Sequence, residues 1–215
     1  MAKSTKSHRD PLIEVVAVFA IFLGSVFAFG ADTAQPEPTT QPLVKRSYVV
    51  PTGKPENLVT NLAAPWELVF LPDGMALLDE RDSGTILQID QQFNVRQVAF
   101  TSTKPPCVKF CEGGTLGMTY AADRIGNQLS LFVFLTTNAD NRILKYDLDK
   151  VDGNWQLSNQ RVLLKGIDRS GKSTTHNGGR LAIGPDGKLW VSLGDAGMRA
   201  STSQSWDRLG GSILR

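Results

Sequence analysis

The residues best suited to chemistry stand in two short segments towards the end of the sequence. His176 opens the segment HNGGR (176–180), and Asp195 follows in GDAG (194–197). A histidine can act as a general base near neutral pH, and a carboxylate beside it can orient the imidazole ring. A single histidine is also often a hydrogen-bonded structural residue, so the residue types alone leave both roles open.

Two further polar residues are candidates for contacts with a ligand. Arg180 ends the HNGGR segment, and its guanidinium could bind an anion through two parallel hydrogen bonds; a salt bridge between neighbouring blades is the alternative. Glu112 stands in CEGG (111–114), where the glycines let a ligand approach the backbone, and a surface carboxylate is the alternative. No phosphate-binding loop, Ser-His-Asp order or zinc-ligand spacing occurs, so we assign no metal ligand.

A repeated pattern of short strands has to position these residues. Three copies of a strand–strand–strand order follow one another, and Pro-Asp-Gly turns join the first two strands of the first and third copies. The predicted strands are 68–70, 75–78 and 85–89, then 117–120, 131–135 and 142–146, then 181–183, 188–193 and 212–214. Such a repeat predicts an all-β fold and favours a β-propeller over a β-sandwich. In a propeller the loop before an innermost strand opens onto the central channel, where we expect His176 and Glu112.

Several of the same segments carry a resemblance to a known family. They are APW (64–66), FLPDG (70–74), DER (79–81), EGGTLGM (112–118), HNGGRLAIGPDGKLWVSLGDAG (176–197) and GGSILR (210–215). From about residue 62 to residue 215 the chain resembles the glucose/sorbosone dehydrogenase family. These are exported quinoproteins with six-bladed propellers that oxidise aldoses with pyrroloquinoline quinone (PQQ) and Ca²⁺. The resemblance implies a sugar or aldehyde substrate and an electron acceptor such as a cytochrome or quinone.

The resemblance also implies a role for each candidate residue. His176 matches the catalytic base, which takes the proton of the anomeric hydroxyl as hydride passes to the quinone. Asp195 matches the aspartate that holds this histidine. Glu112 falls where glucose-oxidising members have a cofactor-contacting glutamine, and Arg180 is expected to lie near the cofactor. Most residues that hold PQQ and Ca²⁺ in the family lie beyond the matched segments.

Two positions depart from the glucose-oxidising members. Thr175 and Ala200 stand where those members have an aspartate and a glutamine. The implied substrate is therefore an aldose or aldehyde, without glucose being specified. A Ca²⁺-dependent propeller lactonase or hydrolase and a non-catalytic binding propeller remain the alternatives, because one scaffold hosts many functions.

The first 42 residues predict export. Residues 1–30 combine a basic start with an uncharged apolar run at 15–29, which is typical of a signal peptide; an uncleaved membrane anchor is the alternative. Residues 31–42 are a Pro-rich linker. We therefore expect a periplasmic or secreted protein, or one anchored to the membrane and facing the exterior. In an oxidising compartment Cys107 and Cys111 are expected to form a small disulfide loop.

Composition and length limit the remaining possibilities. The 215 residues include 23 Lys+Arg and 21 Asp+Glu, a net charge of +2, so the chain lacks the basic field of a nucleic-acid-binding protein. At roughly 45 residues per blade, residues 43–215 supply about three to four blades, whereas propellers close with about 4–8. We therefore expect an incomplete propeller, the N-terminal half of the family's domain, with no PQQ-dependent turnover by the 215-residue chain alone.

Overall fold

Three antiparallel sheets make up the part of the chain that the computed structural model describes, which is residues 52–102, 111–122, 128–169, 175–197 and 200–215. The predicted signal peptide (1–30) and linker (31–42) lie outside these residues. The described residues from Gly53 to Arg215 belong to one compact unit. In them, no helix combines the length and the apolarity needed to cross a bilayer.

Eleven strands and one short 3₁₀ helix form the described fold. Sheet 1 consists of β1 (Pro65–Phe70), β2 (Ala76–Glu80), β3 (Thr85–Ile89) and β4 (Val95–Phe100) in that order. Sheet 2 consists of β5 (Thr115–Ala122), β6 (Leu129–Thr136), β7 (Asn141–Val151) and β8 (Asn154–Ile167). Sheet 3 contains β9 (Gly178–Ile183), β10 (Leu189–Leu193) and β11 (Ile213–Leu214), with the 3₁₀ helix Ala200–Gln204 before β11. The prediction of an incomplete all-β propeller is confirmed.

The Pro-Asp-Gly segments form tight turns, as predicted. In the first, Gly74 has a φ of +83° and donates its N–H to the carbonyl of Leu71 at 3.0 Å. The Asp73 carboxylate accepts the N–H of Met75 at 3.1 Å, which satisfies a backbone group that the turn would otherwise leave free. The second turn repeats this geometry, with Gly187 at a φ of +72°.

Two apolar layers hold the three sheets face to face. Side chains alternate along β6, so Leu131 and Val133 pack against sheet 1 while Phe134 packs against sheet 3. Leu77 of β2 lies in the first layer, and Leu181 of β9 lies in the second. Sheet 2 is therefore buried on both faces. This stacking places the three innermost strands, β1, β5 and β9, next to one another.

Each innermost strand carries a β-bulge near its beginning. In β1, Pro65 pairs with Glu80 and Leu68 with Leu78, so Trp66 and Glu67 together oppose Asp79. In β5, Leu116 and Gly117 together oppose Phe134 of β6. In β9, Gly179 and Arg180 together oppose Ser192 of β10. Glu67, Gly117 and Arg180 are therefore equivalent positions of the three sheets. We call these three residues the bulge layer.

Candidate active site

His176 and Asp195 meet at the beginning of β9. The His176 Nδ1 lies 2.9 Å from Oδ1 of Asp195, which also accepts the backbone N–H of Gly197 at 3.0 Å. The hydrogen bond from His176, followed by that from Gly197, lowers the pKa of Asp195. An ionised carboxylate only accepts hydrogen bonds, so Nδ1 of the neutral ring carries the proton. The His176 side chain is 64% exposed, and its Nε2 is left as the acceptor for a ligand.

Close backbone packing fixes the loop that presents His176. The His176 carbonyl accepts the N–H of Ala196 at 3.0 Å, and the Asn177 carbonyl accepts the N–H of Gly194 at 3.2 Å. A Cβ added at Gly194 would lie 1.9 Å from the His176 carbonyl oxygen. His176 itself adopts a φ of +52°, in a region that few residues other than glycine occupy. Glycine at position 194 is thus what allows the two halves of the site to touch.

Glu112 joins the same cluster through the backbone of His176. It lies in the loop before β5 and accepts the His176 N–H on Oε2 at 2.9 Å. This bond ties the loop of sheet 2 to the loop of sheet 3. A direct contact of Glu112 with a cofactor stays a prediction. Cys111, the preceding residue, is disulfide-bonded as expected, while Cys107 lies outside the described residues.

Arg180 lies one step further along β9, in the bulge layer. Its guanidinium forms an ion pair with the Glu67 carboxylate of β1, so the salt bridge between blades that the sequence left open is present. The Arg180 side chain is 66% exposed and that of Glu67 is 13% exposed. Arg180 therefore keeps an open side towards solvent that an anionic ligand could reach.

Two carboxyl groups linked to this ion pair were not predicted from the sequence. They are Glu67, the partner of Arg180, and Asp79, whose Oδ1 accepts the backbone N–H of Glu67 at 2.7 Å. Asp79 is 0% exposed, and its Oδ2 has no hydrogen-bond partner among the described residues. Burial raises the pKa of Asp79 to about 8, and the negative charge of Glu67 adds to the rise. An acidic residue within the apolar segment MALLDE was the available signal.

Replacing Asp195 with asparagine is expected to change the tautomer of His176. An amide can present its NH₂ group to Nδ1, so the ring proton is expected to move largely from Nδ1 to Nε2. Two-bond ¹⁵N–¹H spectra distinguish the two tautomers directly. Asp207→Asn, an exposed change elsewhere on the chain, is the control. An unchanged Nδ1–H population in Asp195→Asn would mean that the carboxylate does not orient the ring.

A metal site does not form from the described side chains alone. Across the described ranges, no three His, Cys, Asp or Glu side chains come close enough together to hold a metal ion. We therefore assign no calcium ligand among these residues.

Comparison with known proteins places the chain in a family. Residues 62–215 match the model of the Glucose / Sorbosone dehydrogenase family. Over 152 residues the chain is 27% identical to quinoprotein glucose dehydrogenase B of Acinetobacter calcoaceticus, a match that covers 65% of this chain and 30% of that protein.

Solved structures of sugar dehydrogenases also match the chain. The PQQ-bound form of aldose sugar dehydrogenase from Streptomyces coelicolor matches with 32% identity and a TM-score of 0.61. An oxidoreductase (glucose dehydrogenase) from Thermus thermophilus matches with 32% identity and a TM-score of 0.59. Each match covers 74% of this chain and 46% of the other, so the chain spans less than half the length of these relatives. With its bladed fold and a family match over most of its length, the chain belongs to the glucose/sorbosone dehydrogenase family.

Proposed function

We propose that the chain contributes to the active site of a quinoprotein that oxidises an aldose sugar or a related aldehyde at the anomeric carbon. The observation that carries the proposal is the His176–Asp195 pair, in which the carboxylate holds Nδ1 and leaves Nε2 open to a substrate. Family membership supports it, as does the likeness to an aldose sugar dehydrogenase whose structure is PQQ-bound.

In this proposal His176 is the general base. Its Nε2 accepts the proton of the anomeric hydroxyl as the carbon loses hydride, and Asp195 stabilises the imidazolium that forms. Glu112 holds the loop through the His176 N–H, so the ring stays in place while it is protonated. When bound, PQQ supplies a quinone that accepts two electrons from the sugar.

One of the residues present, Arg180, suits the chemistry of that cofactor. PQQ carries carboxylates, and the exposed guanidinium of Arg180 can pair with one of them. Glu112 is itself an anion, so we assign it to the border of the site and to the support of His176, rather than to a carboxylate contact. The electron acceptor, such as a cytochrome or quinone, is proposed from the family alone.

Reconstitution tests the proposal. The protein expressed from its complete gene, supplied with PQQ and Ca²⁺, is expected to reduce an artificial dye with at least one sugar of an aldose and aldehyde panel. His176→Ala is expected to lower kcat about 100-fold or more, because general-base catalysis contributes typically 10²–10⁴-fold. His8→Ala changes the only other histidine, which lies in the predicted signal segment, and is the matched control.

Two results would contradict the proposal. Hydrolysis of lactones without dye reduction would establish the hydrolase alternative. Full dye reduction by His176→Ala would remove His176 as the base even if the reaction class were right.

We also propose that the protein works outside the cytoplasm. The signal-like residues 1–30 and the disulfide bond at Cys111 support export to the periplasm or the medium. A membrane anchor formed by the same residues remains the alternative.

A further inference from the structure

The bulge layer brings opposite charges together across sheet 2. Glu67 and Arg180 belong to sheets 1 and 3, and Gly117 of sheet 2 is their equivalent. A Cβ added at Gly117 would lie 2.1 Å from the Gly179 carbonyl oxygen and 3.2 Å from Cα of Arg180. Because glycine stands there, β5 and β9 approach closely and Arg180 reaches Glu67.

Asp79 contacts the bulge layer through the backbone of Glu67. It stands opposite the bulge of β1, where the equivalent residues of sheets 2 and 3 are Phe134 and Ser192. Its Oδ1 accepts the N–H of Glu67 at 2.7 Å, while the buried Oδ2 has no hydrogen-bond partner in the described part of the chain. A buried oxygen that lacks a partner is costly when it carries charge, so the carboxyl is held here as the uncharged acid.

Among the described residues, one charged side chain acts on the pKa of Asp79. Glu67 is the charged group that raises its pKa, and Arg180 balances Glu67. The adjacent Glu80 is occupied, because it accepts the Ala63 N–H at 2.7 Å and the Ser83 hydroxyl at 2.6 Å. Across the sheet Asp79 pairs with Ile86 of β3, and Ile86 and Leu77 both belong to the apolar layer with sheet 2.

We propose that Asp79 is a positioning residue for Arg180. As the uncharged acid it fixes the backbone of Glu67 and leaves the Glu67–Arg180 pair electrically neutral, so an anionic carboxylate can bind the open side of Arg180. When Asp79 loses its proton, the group gains a net negative charge and repels that carboxylate. The choice of PQQ as this anion rests on the proposed function; the link between Asp79 and Arg180 does not.

Two measurements on the protein expressed from its complete gene test the proposal. The first follows the Arg180 Nε–Hε signal between pH 6 and pH 9 without ligand, with Arg180→Lys identifying the signal. The signal is expected to shift with a midpoint near the Asp79 pKa of about 8 and to lose this shift in Asp79→Asn. Asp79→Ser, which introduces the residue of the equivalent position in sheet 3, is expected to behave like Asp79→Asn and serves if the asparagine variant does not fold.

The second measurement is the affinity for free PQQ at pH 6.5 and pH 9. One added negative charge several Å away is expected to weaken binding about five-fold in the wild type. Asp79→Asn is expected to show little of this loss. Glu67→Gln removes the charged partner of Arg180 and a negative charge that raises the pKa of Asp79. This variant is expected to bind PQQ more tightly, and its Arg180 signal is expected to titrate at a lower pH than in the wild type.

The results separate the two proposals. No PQQ binding in any variant, together with an Arg180 signal that titrates only when Asp79 is present, would contradict the proposed function and support the positioning role. An Arg180 signal that does not titrate in the wild type would overturn the positioning role. So would a PQQ affinity with the same pH dependence in the wild type and in Asp79→Asn.

Discussion

Alanine at position 194 is expected to disrupt the candidate site and to lower the free energy of unfolding by about 3 kcal/mol. The added Cβ would lie 1.9 Å from the carbonyl oxygen of His176, 2.5 Å from its carbonyl carbon and 3.2 Å from the Gly178 nitrogen. All three are backbone atoms, so no side-chain rotation relieves the clash. The loop has to move away from Asp195, and the hydrogen bond to Nδ1 is lost.

Urea unfolding and the His176 ¹⁵N spectrum measure these two effects. Gly53→Ala is the control, because a Cβ there meets nothing within 4 Å. The stability of this control is expected to change by less than about 0.5 kcal/mol. If Gly194→Ala kept both the wild-type stability and the Nδ1–H tautomer, the close packing of the two loops would not be what holds the pair together.

Asparagine at position 79 is expected to remove a pH-dependent loss of stability. The pKa of Asp79 is raised from 3.8 to about 8 in the folded protein, so between these values the folded state binds more protons than the unfolded state. The free energy of unfolding therefore falls as pH rises through this window and levels off above pH 8. From pH 4 to pH 7 the wild type is expected to lose up to about 4 kcal/mol relative to Asp79→Asn.

Urea unfolding of both proteins from pH 4 to pH 9 gives this difference directly. Asp90→Asn is the control, since hydrogen bonds from Asn94 and Gln92 lower the pKa of Asp90 below its ordinary value. Asp90 is therefore ionised in the folded protein over this range, and the difference in stability between the wild type and this control is expected to stay nearly flat from pH 4 to pH 9. A difference between wild type and Asp79→Asn that stays flat, or rises with pH, would mean that Asp79 is ionised in the folded protein.

Most of the strands that the sequence predicted have a buried face, whereas β1 and β11 contain no buried residue. β6 alternates between two apolar layers, and Pro-Asp-Gly marks the turns in sheets 1 and 3, so both signals were readable. β4 and β8 were missed because they are outermost strands with mostly exposed residues. The segment VRQVAF of β4 and the long β8 have no regular apolar alternation, and only pairing with β3 and β7 defines them.

The candidate site, like the strands, was predicted only in part from the sequence. The meeting of His176 and Asp195 was implied by the family resemblance, and it is a local consequence of chain order, because a hairpin returns the end of β10 to the beginning of β9. Glu67 and Asp79 were missed because their link to Arg180 depends on the register of three bulges in sheets far apart along the sequence. Strand patterns indicate which face a residue occupies; they do not indicate where one extra residue shifts the pairing.

The bulges have a consequence for how such a protein can evolve. Three repeats present the same backbone at the bulge layer, yet the residues there are an acid, a glycine and a base. Substitutions at Glu67 and Arg180 alter the charge at this level and leave the surrounding hydrogen-bonded ladders as they are, whereas a side chain at Gly117 would collide with the backbone of β9. The strand pairing of a blade can thus be conserved while the charge at the bulge layer changes. A duplicated blade can therefore acquire a new binding preference through one substitution.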